Sequence, residues 1–73
     1  MRNPARIDKI TNLMNKLWHN IPDYRFYQFM SVIFDYVPEE KQGTDPFFWE
    51  EDIWEEMIRG AMRAYGCEEE ESK

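Results

Sequence analysis

The apolar positions of the chain fall into three blocks separated by turn-forming residues. In the first block Ile7, Ile10, Met14, Leu17 and Ile21 recur at alternating steps of three and four, and Leu13 and Trp18 widen the stripe. That spacing gives a helix one apolar face. Asn3 followed by Pro4 supplies its start, because asparagine accepts from the first unpaired N–H groups and proline suits the first helical position. The pattern predicts a helix over about 4–19, closed by Asn20, with Pro22 driving Ile21 out of helical geometry. In the second block Phe26, Met30, Ile33 and Val37 repeat at helical spacing, with Phe29 and Phe34 beside them and Tyr24, Tyr27 and Tyr36 as partly polar rims. Val32, Ile33 and Phe34 would also suit a strand. The helical repeat runs further than any alternation, so a helix over about 24–36 capped by Asp23 is expected.

The stretch from Pro38 to Pro46 is rich in turn formers and reads as a connector, with Thr44 or Asp45 available as a cap ahead of Pro46. Phe47, Phe48 and Trp49 are apolar on every side, which fits a wedge or tight turn better than a surface helix. Asp52 is the expected cap of a third helix with the stripe Ile53, Trp54, Met57, Ile58, Ala61, Met62 and Tyr65. Glu51, Glu55 and Glu56 near its start and Arg59 and Arg63 near its end complement the helix dipole, and Glu55 and Arg59 stand four apart in the favourable order. Gly66 is placed as its left-handed C-terminal residue. Ile7, Ile10, Leu17, Ile33, Trp54 and Ile58 are assigned to the core. The expected fold is all-α: a small three-helix domain over 1–66, a helical hairpin plus a crossing third helix, followed by a disordered acidic tail at 67–73. There is no internal repeat.

A chain of 73 residues has room for one small core, and domains of this size usually need a disulfide, a metal or a partner to be stable. Cys67 is the single cysteine and His19 the single histidine. No internal disulfide can form, no Cys/His spacing supplies a tetrahedral metal site, and neither metal nor cofactor is expected. A partner is the remaining route. A lone cysteine suits the cytoplasm, and Arg2, Arg6, Asp8, Lys9 and Lys16 interrupt any signal-like or membrane-spanning run near the N-terminus. The net charge of −6 is uneven: residues 1–25 hold five basic groups against two acidic ones, and residues 26–73 hold four against thirteen. Direct nucleic-acid binding needs a basic surface and is not expected. A partner protein with a basic surface is, and such a surface is commonly one that binds nucleic acid.

Catalytic constellations are absent from the sequence. Glu50, Glu51, Asp52, Glu55 and Glu56 lack the alternating oxygen ligands and central glycine of a calcium loop. They read as a solvated or partner-facing acidic surface. His19 has no serine, cysteine or carboxylate at a defined spacing and is better placed to favour a helix C-terminus when protonated. Cys67 precedes four glutamates, whose charge suppresses the thiolate that a nucleophile needs. With no glycine-rich phosphate loop either, the chain is expected to be no enzyme. Aromatics are the feature that competes for a function. They make up 16% of the chain, and a core this small can hardly enclose them all. Phe47, Phe48, Trp49, Tyr24 and Tyr27, with the acidic Glu50, Glu51, Asp52, Glu55 and Glu56, are the candidate partner-binding residues.

Three short motifs bear on the setting: Arg6-Ile7-Asp8; Pro22 and Asp23 with Arg25 and Gln28, after a helix holding Trp18; and Asp45-Pro46-Phe47 followed by Glu51 and Asp52. Over about residues 4–60 this pattern resembles a group of short hypothetical proteins of phages, prophages and their bacterial hosts. The heavy aromatic loading of the second helix and the Glu-rich tail depart from it. The group carries no assigned activity, so the resemblance transfers no catalytic residue and implies only a phage-like helical accessory protein. Together these readings lead to a protein-binding inhibitor or modulator, of anti-CRISPR or other anti-defence type. Its acidic, aromatic-flanked face would occupy a basic surface of a host protein in the host cytoplasm. The alternative is a structural homodimer that uses the aromatic patch on itself. In either case Asp23, Arg25 and Gln28 have a structural role, the first as a cap and the others tying the second helix to the Asp45–Asp52 segment.

Overall fold

The computed structural model describes residues 3–67. Three α-helices, α1 (Ala5–Asn20), α2 (Phe26–Phe34) and α3 (Glu51–Ala64), are joined by a connector holding two short 3-10 turns at Glu39–Lys41 and Pro46–Phe48. No strand occurs among the described residues, so the helical repeat of the second block outweighs the β-branched pair within it. Asn3 Oδ1 accepts from the Ala5 N–H at 2.9 Å and starts α1. Ile21 ends it with φ −130° and ψ 63°, the non-helical geometry required ahead of Pro22.

Two caps differ from expectation. Asp23 does not cap α2. Its first turn begins after Arg25, whose N–H donates to Gln28 Oε1 at 2.8 Å, because a glutamine three residues inside the helix reaches back to the unpaired N–H better than Asp23 reaches forward. The helix is also shorter than expected and ends at Phe34, with Asp35 still in helical backbone (φ −69°, ψ −13°) leading into the turn ahead of Pro38. Asp52 lies inside the first turn of α3, and Glu50, in extended backbone, holds the cap position. The far end of α3 closes as expected. Gly66 has φ +73°, and the Cys67 and Gly66 N–H groups donate back to Met62 O at 2.8 Å and Arg63 O at 3.3 Å.

Residue pairs across the helices fix their directions. Arg6 meets Glu51 and Lys9 meets Glu55, while Asn20 Nδ2 donates to Tyr65 O at 3.1 Å. Position numbers rise together, so α1 and α3 run parallel. Tyr24 lies edge-on to Tyr65 and Phe34 edge-on to Trp54, so α2 runs against both. α1 and α2 run antiparallel and meet through Trp18 on Phe26 and Phe29, and α3 lies along α1 and packs on both of them. Leu13, Leu17, Phe29, Val32, Ile33, Met57, Ile58, Ala61 and Met62 make one buried core. Trp18 stacks on Phe29, centroids 4.8 Å apart and planes 8° from parallel, and its Nε1 donates to Tyr24 O at 2.9 Å, which ties the α1–α2 turn down.

Ile7, assigned to the core from its spacing, is 52% exposed. It continues the helical repeat but lies nearly two turns before Leu13, the first buried residue of α1, so it is only half covered. Cys67 packs against the core and its Sγ–H donates to Lys16 O at 3.7 Å. The folded body thus takes in the first residue assigned to the tail, and the rest of the expected tail, 68–73, lies outside the described residues.

Candidate functional site

The segment ahead of α3 presents its two phenylalanines to solvent. Asp45 Oδ1 accepts from the Phe47 N–H at 3.0 Å, and the Phe48 and Trp49 N–H groups donate to Asp45 O and Pro46 O, both at 3.1 Å. The resulting 3-10 turn is the tight turn that an apolar run on every side suggested. Phe47 and Phe48 are 83% and 73% exposed and lie edge-on to each other with centroids 5.0 Å apart. Trp49 turns inward. It packs against the core and against Trp54 at 5.6 Å, and its Nε1 donates to Thr44 Oγ1 at 2.8 Å. Trp49 therefore anchors the turn, and the phenylalanines are what it holds out.

The acidic candidates divide in the same way. Glu51 lies 3.4 Å from Arg6 Nε, a nitrogen shielded from water without an aligned hydrogen bond. Glu55 is shared between Lys9 at 3.3 Å and Arg59 at 3.0 Å. Partial burial works to raise the Glu55 pKa, but hydrogen bonds from Arg59 and Lys9 and the charges of both outweigh it and hold the carboxyl below its ordinary value. Glu51 and Glu55 are thus bound up with α1, while Asp52 and Glu56 are among the exposed acids of this end. Along the outer face of α3, Asp52 and Glu56 give way to Arg59 and Arg63, which with Glu55 line an open depression. The acidic face is confined to the first two turns.

Tyr24 and Tyr27 belong elsewhere. Both lie near the start of α2, where Tyr24 is half-buried against Tyr65 and Tyr27 is 83% exposed. The Phe47–Trp49 turn lies at the opposite end of the molecule, beyond the far end of α2, so one contact surface does not hold all ten candidates. The same geometry separates Arg25 and Gln28 from the Asp45–Asp52 segment. They sit at the α2 end that meets Tyr65, and Gln28 is engaged with Arg25 itself. An open depression at this end, lined by Asn15, Trp18, His19, Pro22 and Tyr24, was missed from sequence, where Trp18 reads only as part of the α1 stripe.

Among the described residues no group of three or more His, Cys, Asp or Glu side chains is placed to hold a metal ion, and no helix is long and apolar enough to cross a membrane. Comparison of the chain with protein-family models, curated proteins and solved structures found no match.

Proposed function

We propose that the chain is a non-enzymatic binding module whose contact surface is the Phe47–Phe48 turn flanked by Asp52, Glu56 and Glu50. The observation that carries this reading is the exposure of two adjacent phenylalanines on a turn braced by the Phe47 N–H to Asp45 and Trp49 Nε1–H to Thr44 hydrogen bonds. Rigid aromatic anchors lose little entropy on docking and carry a large share of binding energy. The matching partner is a protein with an apolar recess bordered by basic groups. In the phage-like setting that the motif resemblance implies, the partner is a host protein whose basic surface serves nucleic acid. The module then acts in the host cytoplasm as an inhibitor of anti-CRISPR or other anti-defence type.

The test compares capture from the host by the native chain, by Phe47→Ala/Phe48→Ala and by Asp52→Lys/Glu56→Lys. A partner held by the native chain should be lost by both variants, and the native chain should displace nucleic acid from it. A partner retained equally by all three would sink the reading. Glu51 and Glu55 are unsuitable for this test, because reversing them would set new positive charge against Arg6, Lys9 and Arg59.

A further inference from the structure

Thr44 is the residue at which the connector and the aromatic turn join. Its N–H and its hydroxyl both donate to Lys41 O, at 3.1 and 2.6 Å. Gly43, at φ +87°, makes the reversal that brings Thr44 back onto that carbonyl, in a conformation that favours glycine. With its one hydrogen committed to Lys41, the hydroxyl has only lone pairs left to offer. One of them accepts from Trp49 Nε1 at 2.8 Å. The indole N–H can only donate, and its ring is half-buried against the core and against Trp54. The Thr44–Trp49 bond thus closes residues 44–49 into a ring, with Phe47 and Phe48 between its ends. Asp45 acts differently. Its carboxylate accepts from the Phe47 N–H, which shapes the turn internally without tying it to the connector.

We propose that Thr44 is the positioning residue of the contact surface, its hydroxyl fixing the direction in which Phe47 and Phe48 leave the molecule. The proposal rests on the reading of those phenylalanines as binding anchors and adds what orders them before a partner arrives. The relay runs from the Trp49 indole N–H to the Thr44 oxygen and from the Thr44 O–H to Lys41 O. Each bond in such a chain polarises the next. Without the hydroxyl, the Trp49 ring keeps its place on the core, but its N–H has lost its acceptor and the turn can re-orient. Ordering the turn again on docking costs affinity, with no change in the phenylalanines that meet the partner.

Thr44→Val removes the hydroxyl and keeps the shape of the side chain, whereas Thr44→Ser keeps the hydroxyl and removes the methyl group. In proton–nitrogen NMR of the full chain, the Trp49 indole N–H of Thr44→Val should move upfield and exchange faster with water. The Trp18 indole N–H, which donates to Tyr24 O, is the internal reference and should not move. Order parameters of the Phe47 and Phe48 amides should fall from about 0.85, the value of rigid backbone, towards about 0.6. Thr44→Ser should match the native chain throughout. Trp49→Phe removes the donor instead of the acceptor, and Thr44→Val/Trp49→Phe should be no looser than the worse single variant, because both act through one bond. Against a partner captured by the native chain, Thr44→Val should bind about two- to tenfold more weakly and Thr44→Ser at native affinity. Native order parameters in Thr44→Val overturn the proposal, as does a loss of order in Thr44→Ser equal to that in Thr44→Val. A loosened turn with undiminished affinity overturns it too. A partner indifferent to Phe47→Ala/Phe48→Ala sinks the binding reading alone, since the order parameters of the free chain decide separately whether Thr44 holds the turn.

Discussion

Phe29 and Phe48 show how far one residue type can differ in what it does. Phe29 is fully buried under Trp18, so Phe29→Ala removes its transfer energy and leaves a cavity. The expected loss is about 3–5 kcal/mol, comparable to the whole stability of a small domain. Phe48 is 73% exposed, and Phe48→Ala should shift stability by no more than about 0.5 kcal/mol. Urea unfolding of the two variants checks the contrast, and equal losses would mean that Phe48 is not the solvent-facing residue described. Glu55 gives a prediction of a different kind. Its pKa is lowered in the folded chain from a reference of 4.5, so its stabilising contribution is present above that reference and is lost as pH falls through the folded value. Glu55→Gln should weaken the protein near neutrality, and its stability should then fall less than that of the native chain on acidification. Unfolding curves at about pH 7 and about pH 3 would show parallel losses if Lys9 and Arg59 did not stabilise the charged carboxylate.

At the scale of the helices, two glycines of the same segment have opposite roles. Gly66 has φ +73°, a region that costs a residue with a Cβ about 1–2 kcal/mol, so Gly66→Ala should destabilise by about that amount. Gly60 lies inside α3, and a Cβ there would meet the Tyr36 Cβ at 3.4 Å, an ordinary contact. Gly60→Ala should therefore stabilise by about 0.5–1 kcal/mol through helix propensity, and thermal melting of both variants should move in opposite directions. Gly66 was legible in the sequence because it follows the last apolar position of a clear repeat. The three helices and the turn at Phe47 were legible for the same reason. Ile7 was not, because periodicity reports the direction in which a side chain points, while coverage depends on how far the neighbouring helices extend. The caps of α2 and α3 were misplaced because Asp23 and Asp52 satisfy the local preference, and the choice fell to Gln28 and to the geometry of the chain leaving Trp49.

The whole molecule decides what the local acidic cluster can do. Read along the chain, Glu51, Asp52, Glu55 and Glu56 are four equivalent carboxylates in the first turns of a helix. The parallel alignment of α1 and α3 separates them, because it sets Arg6 and Lys9 of one helix at the level of Glu51 and Glu55 of the other. The spacings were visible, a step of three in α1 and of four in α3, but pairing them requires knowing that the helices run side by side in the same direction. Asp52 and Glu56 stay exposed on the outer face. Glu51→Lys/Glu55→Lys should therefore destabilise the fold, since it replaces three ion pairs by repulsion among like charges at a partly shielded helix contact. Asp52→Lys/Glu56→Lys breaks none of these ion pairs and should cost less, about 0.3–1 kcal/mol per residue through the helix dipole. High salt sharpens the comparison. Screening weakens repulsion as well as attraction, so the Glu51/Glu55 variant should recover part of its loss as salt is raised, while the Asp52/Glu56 variant should respond less. If the two variants instead unfolded at the same urea concentration at every ionic strength, the bridging of α1 to α3 through Glu51 and Glu55 would contribute nothing to stability, and all four acids would again be equivalent as contact residues.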